Sequence, residues 1–301
     1  MVKVGAVPDD RRRIAGTTAR RLIDSQFPAF AGLALSPVEP QGWDNTTFRL
    51  GSGLKVRFPT ASRYAAQAAK EAMWLPRLAA HLPVAVPTVV GLGEPDDGFP
   101  MPWSVQDWIP GEPATRMLVP DQASFARDVA GVLAALQRVP GDGAPLAGDH
   151  SFHRGGDLAV YDAETRACVA ALGDGVDGRA ALAVWEAGLA AAWTGRPAWV
   201  HGDVAPGNLL VRDGRLAALI DFGCAALGDP ACDLVIAWTY LAGDGRREFR
   251  KAVPADDAMW ARARGWALWK ALLTLTNPDL AENEALAQRR LIATLIAEAE
   301  A

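Results

Sequence analysis

Along the chain the apolar positions change period several times, and each change marks an element. Residues 9–26, DDRRRIAGTTARRLIDSQ, repeat at helical spacing behind an acidic start and stop before Pro28, which predicts an amphipathic helix. The period then shortens. LALSPVE (33–39), TTFRL (46–50) and LKVRF (54–58), separated by the turn signals QGWDN and GSG, predict antiparallel strands joined by tight turns. SRYAAQAAKEAMWL (62–75) restores the helical repeat, with Pro76 placed to end or kink it. VPTVVGLG (86–93) and MPWSVQDWI (101–109) predict two more strands around the turn EPDDG.

From residue 121 the pattern is mainly helical, with candidates at 121–138, 178–194, 230–242, 255–275 and 279–299. Only AWVHGDV, NLLV and RLAALID interrupt it with strand-like runs. The fold class this predicts is mixed α/β (α+β): a strand-rich lobe with one long helix over residues 1–108, and a mainly helical lobe over 109–301. PGDGAPLAGDHSFHRGGD, residues 140–157, is longer than most connections in compact domains, and such loops serve as lids, binding loops or mobile linkers. No internal repeat is visible.

Composition narrows the function classes. A chain of 301 residues, half of them hydrophobic and with no low-complexity tract, can bury a sizeable core and suits a globular enzyme. Lys and Arg total 30 against 35 Asp and Glu, and the net charge of -5 argues against a nucleic-acid surface. The start MVKVGAVPDDRRRIAG lacks an apolar leader, and no run approaches the roughly 18 apolar residues of a membrane span, so a cytoplasmic protein with no membrane partner is expected, as a monomer or weak dimer. Cys168, Cys224 and Cys232 are odd in number and lack CxxC spacing, which fits reduced, buried thiols. His150 and His153 lie in the long loop without a companion Cys cluster, and no metal site is predicted there.

Chemistry concentrates in HGDVAPGNLLVRDGRLAALIDFG, residues 201–223. NLLV, RDG and RLAALID form a predicted hairpin, and a hairpin returns Asp221 at its end to the neighbourhood of Asn208 at its start. Two oxygen donors then meet, as Mg2+ requires when water and phosphate oxygens fill its other positions. Asp203, five residues before Asn208, is left to orient a hydroxyl and accept its proton during phosphoryl transfer.

The pattern H-G-D-x-x-x-x-N followed by I-D-F-G resembles the catalytic and metal-binding motifs of the aminoglycoside phosphotransferase family, which is related to the protein kinases. That resemblance implies a two-lobed protein-kinase-like fold, with Asp203 as catalytic base and Asn208 and Asp221 as Mg2+ ligands. ATP is the implied cosubstrate, with GTP as an alternative. LKVRF occupies the place of the strand whose lysine binds the nucleotide phosphates, and Glu71 that of its helix partner; Arg57 stands at the lysine position. Lys55, two residues earlier on the same strand face, is the alternative phosphate contact. The glycine-rich loop is reduced to QGWDNTTF, leaving the backbone around Trp43, Asn45 and Thr46 to meet the phosphates. MPWSVQDWIPGEPA resembles the crossing between lobes, where Asp107 and Ile109 would offer backbone groups to the base. Asp229 and Asp233 in LGDPACDL are expected to cap the next helix and hold the catalytic loop, and His201 to brace it.

The implied partner is a small-molecule hydroxyl acceptor. Asp256, Asp257, Asp279, Glu282, Glu284, Glu298 and Glu300 are candidates to receive a polycation such as an aminoglycoside, although charges of this kind commonly face solvent. Trp260, Trp266 and Trp269 suggest an aromatic wall for a macrolide, although Trp266, Trp269 and Leu273 repeat at the spacing of a core stripe. Kinases of choline, fructosamine or homoserine type share the motifs, and a nucleotide-binding sensor without turnover is the reading from another class. A metal-dependent phosphohydrolase would need more His and Asp ligands than four histidines allow.

Overall fold

The computed structural model describes residues 11–114 and 119–300. Helix α1 (Gly16–Gln26) starts later than the 9–26 pattern predicts. Residues 11–15 lie outside the helix, with the Arg12 amide donating to the Thr60 carbonyl at 2.7 Å; Asp9 and Asp10 lie outside the described residues. Strands β1 (Leu35–Pro37), β2 (Asn45–Leu50), β3 (Leu54–Pro59), β4 (Val89–Gly93) and β5 (Trp103–Asp107) form one antiparallel sheet in the order β1-β2-β3-β5-β4. Its register sets Arg57 of β3 between Thr47 of β2 and Ser104 of β5, in the middle of the sheet.

Helix α2 (Ala66–Ala79) follows β3 in sequence and runs through Pro76 instead of ending there. The proline falls in the last turn, where a missing amide costs one rung, and burial of Trp74, Leu75 and Leu78 holds the turn in place. Leu22, Ile23, Phe48, Phe58 and Trp103 form a compact core between α1 and the sheet, with Phe58 stacked on Trp103 at 4.8 Å. The apolar face of α2 belongs to a second, larger core that continues into the C-terminal half.

That half contains β6 (Glu112–Pro113), α3 (Gln122–Gln137), α4 (Asp162–Leu172), α5 (Gly178–Ala190), β7 (Ala198–Val200), β8 (Leu209–Arg212), β9 (Arg215–Leu219), β10 (Ala226–Gly228), α6 (Ile236–Thr239), α7 (Gly243–Ala252), α8 (Asp257–Leu275) and α9 (Glu282–Glu300). Asp121, Asp177 and Asp256 cap α3, α5 and α8 by accepting from backbone amides. Three differences from the sequence pattern have physical reasons. Helices α4 and α7 were not predicted, because only Thr165, Cys168 and Val169 of α4, and Gly245 and Phe249 of α7, are buried, too few to write a stripe. The predicted 230–242 helix is a 3-10 turn over 230–235 followed by the single turn α6; nearly every residue there is buried, so no polar face disciplines the winding.

The 140–157 segment is a bonded strap. Its Ala147 amide donates to the Leu227 carbonyl and the Leu227 amide to Pro145, while His150 takes the Lys70 ammonium of α2 on its ring and its carbonyl, both at 3.1 Å. Phe152 adds a ring contact to Tyr64 at 5.4 Å. The strap therefore ties the C-terminal half to α2. Among the described residues, no helix is long and apolar enough to cross a membrane.

Candidate functional site

Strand β7 delivers the chain into His201–Gly202–Asp203, and two buried groups fix that turn. Both oxygens of Asp233 accept backbone amides, from His201 at 2.7 Å and Gly202 at 2.8 Å. The His201 ring, fully buried, accepts from the Asp203 amide through Nδ1, which leaves Nε2–H to donate to the Ile220 carbonyl at 3.0 Å. Gly202 sits at φ +79°, and a Cβ there would lie 2.7 Å from the Cys224 carbonyl oxygen, so the turn demands glycine. Asp229 is locked against Arg262 by two hydrogen bonds and accepts from the Ala231 amide. Asp233 and His201 thus brace the loop, and Asp229 caps the 3-10 turn that follows it, as the sequence suggests.

The β8–β9 hairpin does what its sequence implies. Leu209 pairs with Leu219, and the Ile220 amide donates to the Asn208 carbonyl at 3.0 Å, so Asp221 emerges beside Asn208. Asp221 has φ +66°, a left-handed conformation rare for a residue with a side chain, which turns its carboxylate into a cavity of about 440 Å³. Asn208 lines the same cavity and donates to the Asp203 carbonyl oxygen at 2.9 Å and to its Oδ2 at 3.1 Å. The three polar side chains of the motif converge.

From the sheet side, Arg57 reaches this point with a buried guanidinium. Nη1 holds both oxygens of Glu71, at 2.9 and 3.0 Å, and Nη2 holds Asp221 Oδ1 at 2.6 Å; Gln106 adds a bond to Glu71 at 2.8 Å. Burial opposes the charge on Arg57, but Asp221 and Glu71 outweigh it and raise its pKa. Burial likewise pushes Asp221 up, and Arg57 more than reverses this, so Asp221 stays ionised. Lys55 lines the same cavity, buried and with no acid partner among the described residues, and burial together with Arg57 lowers its pKa to about 8. A desolvated, unpaired ammonium is costly unless an anion arrives.

Other predicted contacts are distributed unevenly. Asn45 and Ile109 line the cavity. Thr46 does not: it is buried on the opposite side of β2 from Asn45, and because the Thr47 amide and carbonyl face Gln41 and Val38, those of Thr46 face β3. Trp43 is exposed and lies under the Arg11 guanidinium at 3.3 Å, outside the cavity lining. Asp107 spends its amide on the Thr88 carbonyl and its carboxylate on the Thr88 amide. Trp266 and Trp269 are core, as is Trp260, but Leu273 is over a third exposed and Leu272 takes the core position. Cys224 is pushed up to about 12 by burial and is no reactive thiolate.

Sequence reasoning missed two groups. Lys270 of α8 donates to Asp203 Oδ1 at 3.0 Å, from 67 positions away. Burial pushes Asp203 up, yet Lys270 by charge and hydrogen bond, with Arg154 adding, brings it down to about 2. Asp44, one residue before Asn45, also lines the cavity; burial raises it to about 6 against the hydrogen bond from Gln67. The Q-G-W-D-N turn offered a carboxylate, but nothing in its pattern shows which way Asp44 points.

The model of the Phosphotransferase enzyme family (APH) matches residues 36–266. The chain belongs to that family. Its motifs are those of a phosphotransferase, and its fold is protein-kinase-like: the solved structure of the GDP and kanamycin complex of APH(2")-IIia superposes with a TM-score of 0.71 at 18% identity, covering 93% of this chain and 98% of that one. A thermostable mutant of aminoglycoside phosphotransferase APH(4)-Ia gives 0.67 at 19%, covering 93% and 99%. Macrolide 2'-phosphotransferase MphH from Brachybacterium faecium gives 0.56 at 22%, covering 90% and 98%. No curated protein matches this phosphotransferase by sequence.

Proposed function

We propose that this phosphotransferase moves the γ-phosphoryl group of ATP or GTP to a hydroxyl of a small molecule, with residues 1–108 as the nucleotide-binding lobe and 109–301 as the catalytic and acceptor-binding lobe. The observation that carries the reading is the convergence of Asn208 and Asp221 on one cavity beside the Arg57–Glu71 pair, with Asp203 held next to them by the hydrogen bond from Asn208. The acceptor oxygen attacks the γ-phosphorus, the bond from phosphorus to the bridging oxygen of the β-phosphate breaks, and the hydroxyl proton passes to Asp203. A carboxylate with a pKa of about 2 is a weak base. Asp203 therefore acts chiefly by orienting the hydroxyl and takes the proton late, as a loose transition state permits.

The donor set suits Mg2+: Asn208 offers a carboxamide oxygen, and Asp221 keeps one oxygen free while the other binds Arg57, with its side chain 35% exposed to the cavity. When bound, the ion would neutralise phosphate charge. Arg57, engaged on both sides by Glu71 and Asp221, fixes the position of Asp221; Lys55 is the cation left to meet the nucleotide. Ile109 and the segment around Asp107 flank the base. Relatives with solved structures carry GDP or AMP-PNP, which supports a nucleotide cosubstrate.

For the acceptor, the aminoglycoside, macrolide and metabolite-alcohol readings share this machinery. The complexes of relatives with kanamycin and hygromycin B support the first. The test is incubation of the purified protein with Mg2+, ATP or GTP and representative alcohols of each kind, read by the mass shift of the acceptor. A phosphorylated product excludes the sensor reading; nucleotide binding without any transfer would sink the proposal.

A further inference from the structure

A second cavity, of about 480 Å³, opens beside the catalytic loop. Val204, Ala205 and Pro206, the three residues after Asp203, form one wall, and α6, α8 and α9 supply the others. Lys270 lines it and at the same time holds Asp203 Oδ1, so this space lies one side chain away from the group that must receive the acceptor hydroxyl. The apolar side is built from Trp238 and Leu291, and the polar side from threonines, Gln288, Lys270 and Arg290.

The charge in this lining has one sign. Among the described residues no carboxylate lines the cavity, whereas Lys270 and Arg290 do. Lys270 is neutralised by Asp203, and Arg290 has no acid partner among the described residues. None of the acids of the C-terminal helices lines the cavity, and two of them are committed elsewhere: Glu298 is held by Arg246, Arg250 and the Trp238 indole, and Asp256 caps α8. A ligand with several ammonium groups would lose water there and meet Arg290 with no carboxylate in the lining to receive it.

Resting on the phosphotransferase reading above, we propose that the acceptor is a hydroxyl compound without positive charge, neutral or anionic. Its oxygen-rich edge faces Arg290 and Lys270, and its less polar face lies on Trp238 and Leu291. The reactive hydroxyl is placed at Asp203, whose charge Lys270 already compensates, so the reacting end offers a cationic acceptor no free carboxylate and the rim offers it Arg290.

The test uses the full chain saturated with Mg2+ and AMP-PNP at low salt. Kanamycin serves as the polycation and gluconate as the hydroxylated anion, each titrated by calorimetry into wild type and Arg290→Glu. Gluconate binding is expected to weaken about tenfold in the variant and kanamycin binding to tighten by about as much. With ATP, wild type is expected to phosphorylate neutral or anionic hydroxyl compounds in preference to kanamycin. Insensitivity of both probes to the charge reversal, or kanamycin phosphorylation more efficient than that of the uncharged and anionic compounds, overturns the assignment. AMP-PNP binding and its loss in Asp221→Ala are measured in the same series. If those fail, the phosphotransferase reading itself is wrong; if they hold, a negative result concerns the acceptor alone.

Discussion

Arg57→Met tests the buried network that joins the sheet to the motif. Glu71 is 2% exposed and is held by Arg57 Nη1 through two bonds, with Gln106 as its remaining donor. Removing the guanidinium leaves that carboxylate buried with one neutral hydrogen bond, a change that costs roughly 3–5 kcal/mol when a buried pair loses one partner. Asp221 also loses its 2.6 Å bond, but its side chain is 35% exposed and can recover water, so Glu71 dominates. At about 2 °C per kcal/mol for a chain of this size, the melting temperature should fall by about 6–10 °C. Arg57→Met/Glu71→Met removes both charges, and its cost should undershoot the sum of the single variants by about 2 kcal/mol. Urea unfolding of the nucleotide-free protein, followed by circular dichroism, measures all four corners of the cycle. Single effects that add within about 0.5 kcal/mol would show that the two side chains are not coupled, and the argument would fall.

Three further outcomes follow from the same geometry. Lys55→Met should weaken nucleotide binding about tenfold without lowering stability, because it removes an unpaired buried charge. With a folded pKa of about 8 against 10.5 unfolded, Lys55 binds fewer protons in the native state, so stability should rise between those pH values in wild type and lose that rise in the variant. Asp233→Ala strands the His201 and Gly202 amides and should cost about 2–4 kcal/mol in urea unfolding, with Asp233→Asn recovering part of it; an unchanged midpoint would refute the bracing role. Lys270→Met should lower kcat by about 10–100-fold while leaving the nucleotide KM unchanged, and a KM effect alone would place Lys270 in nucleotide binding instead.

What the sequence disclosed was local. The β8–β9 hairpin and the convergence of Asn208 with Asp221 follow from turn signals and short-range register, and both are present in the fold. Arg57 opposite Glu71 was legible only through the family resemblance, which sets a strand cation against a glutamate of the next helix. Lys270 was not, since its approach to Asp203 depends on how α8 packs across the catalytic loop. The backbone of Trp43 and Thr46 was expected at the phosphates because the turn was read as one open loop, whereas the strand already begins at Asn45, Thr46 is paired with β3, and neither residue lines the cavity. The strap at 140–157 carries few apolar residues, and its order comes from backbone bonds to Leu227 and Asp229 that no periodicity records.

The most direct test of the account is Asp203→Ala, assayed for phosphoryl transfer by mass spectrometry on an acceptor that wild type turns over, and for Mg-nucleotide affinity in the same preparation. Transfer should fall by about 10²–10⁴-fold with nucleotide affinity nearly unchanged, while Asp221→Ala should lose nucleotide affinity itself. Near wild-type turnover in Asp203→Ala would contradict the account at its centre.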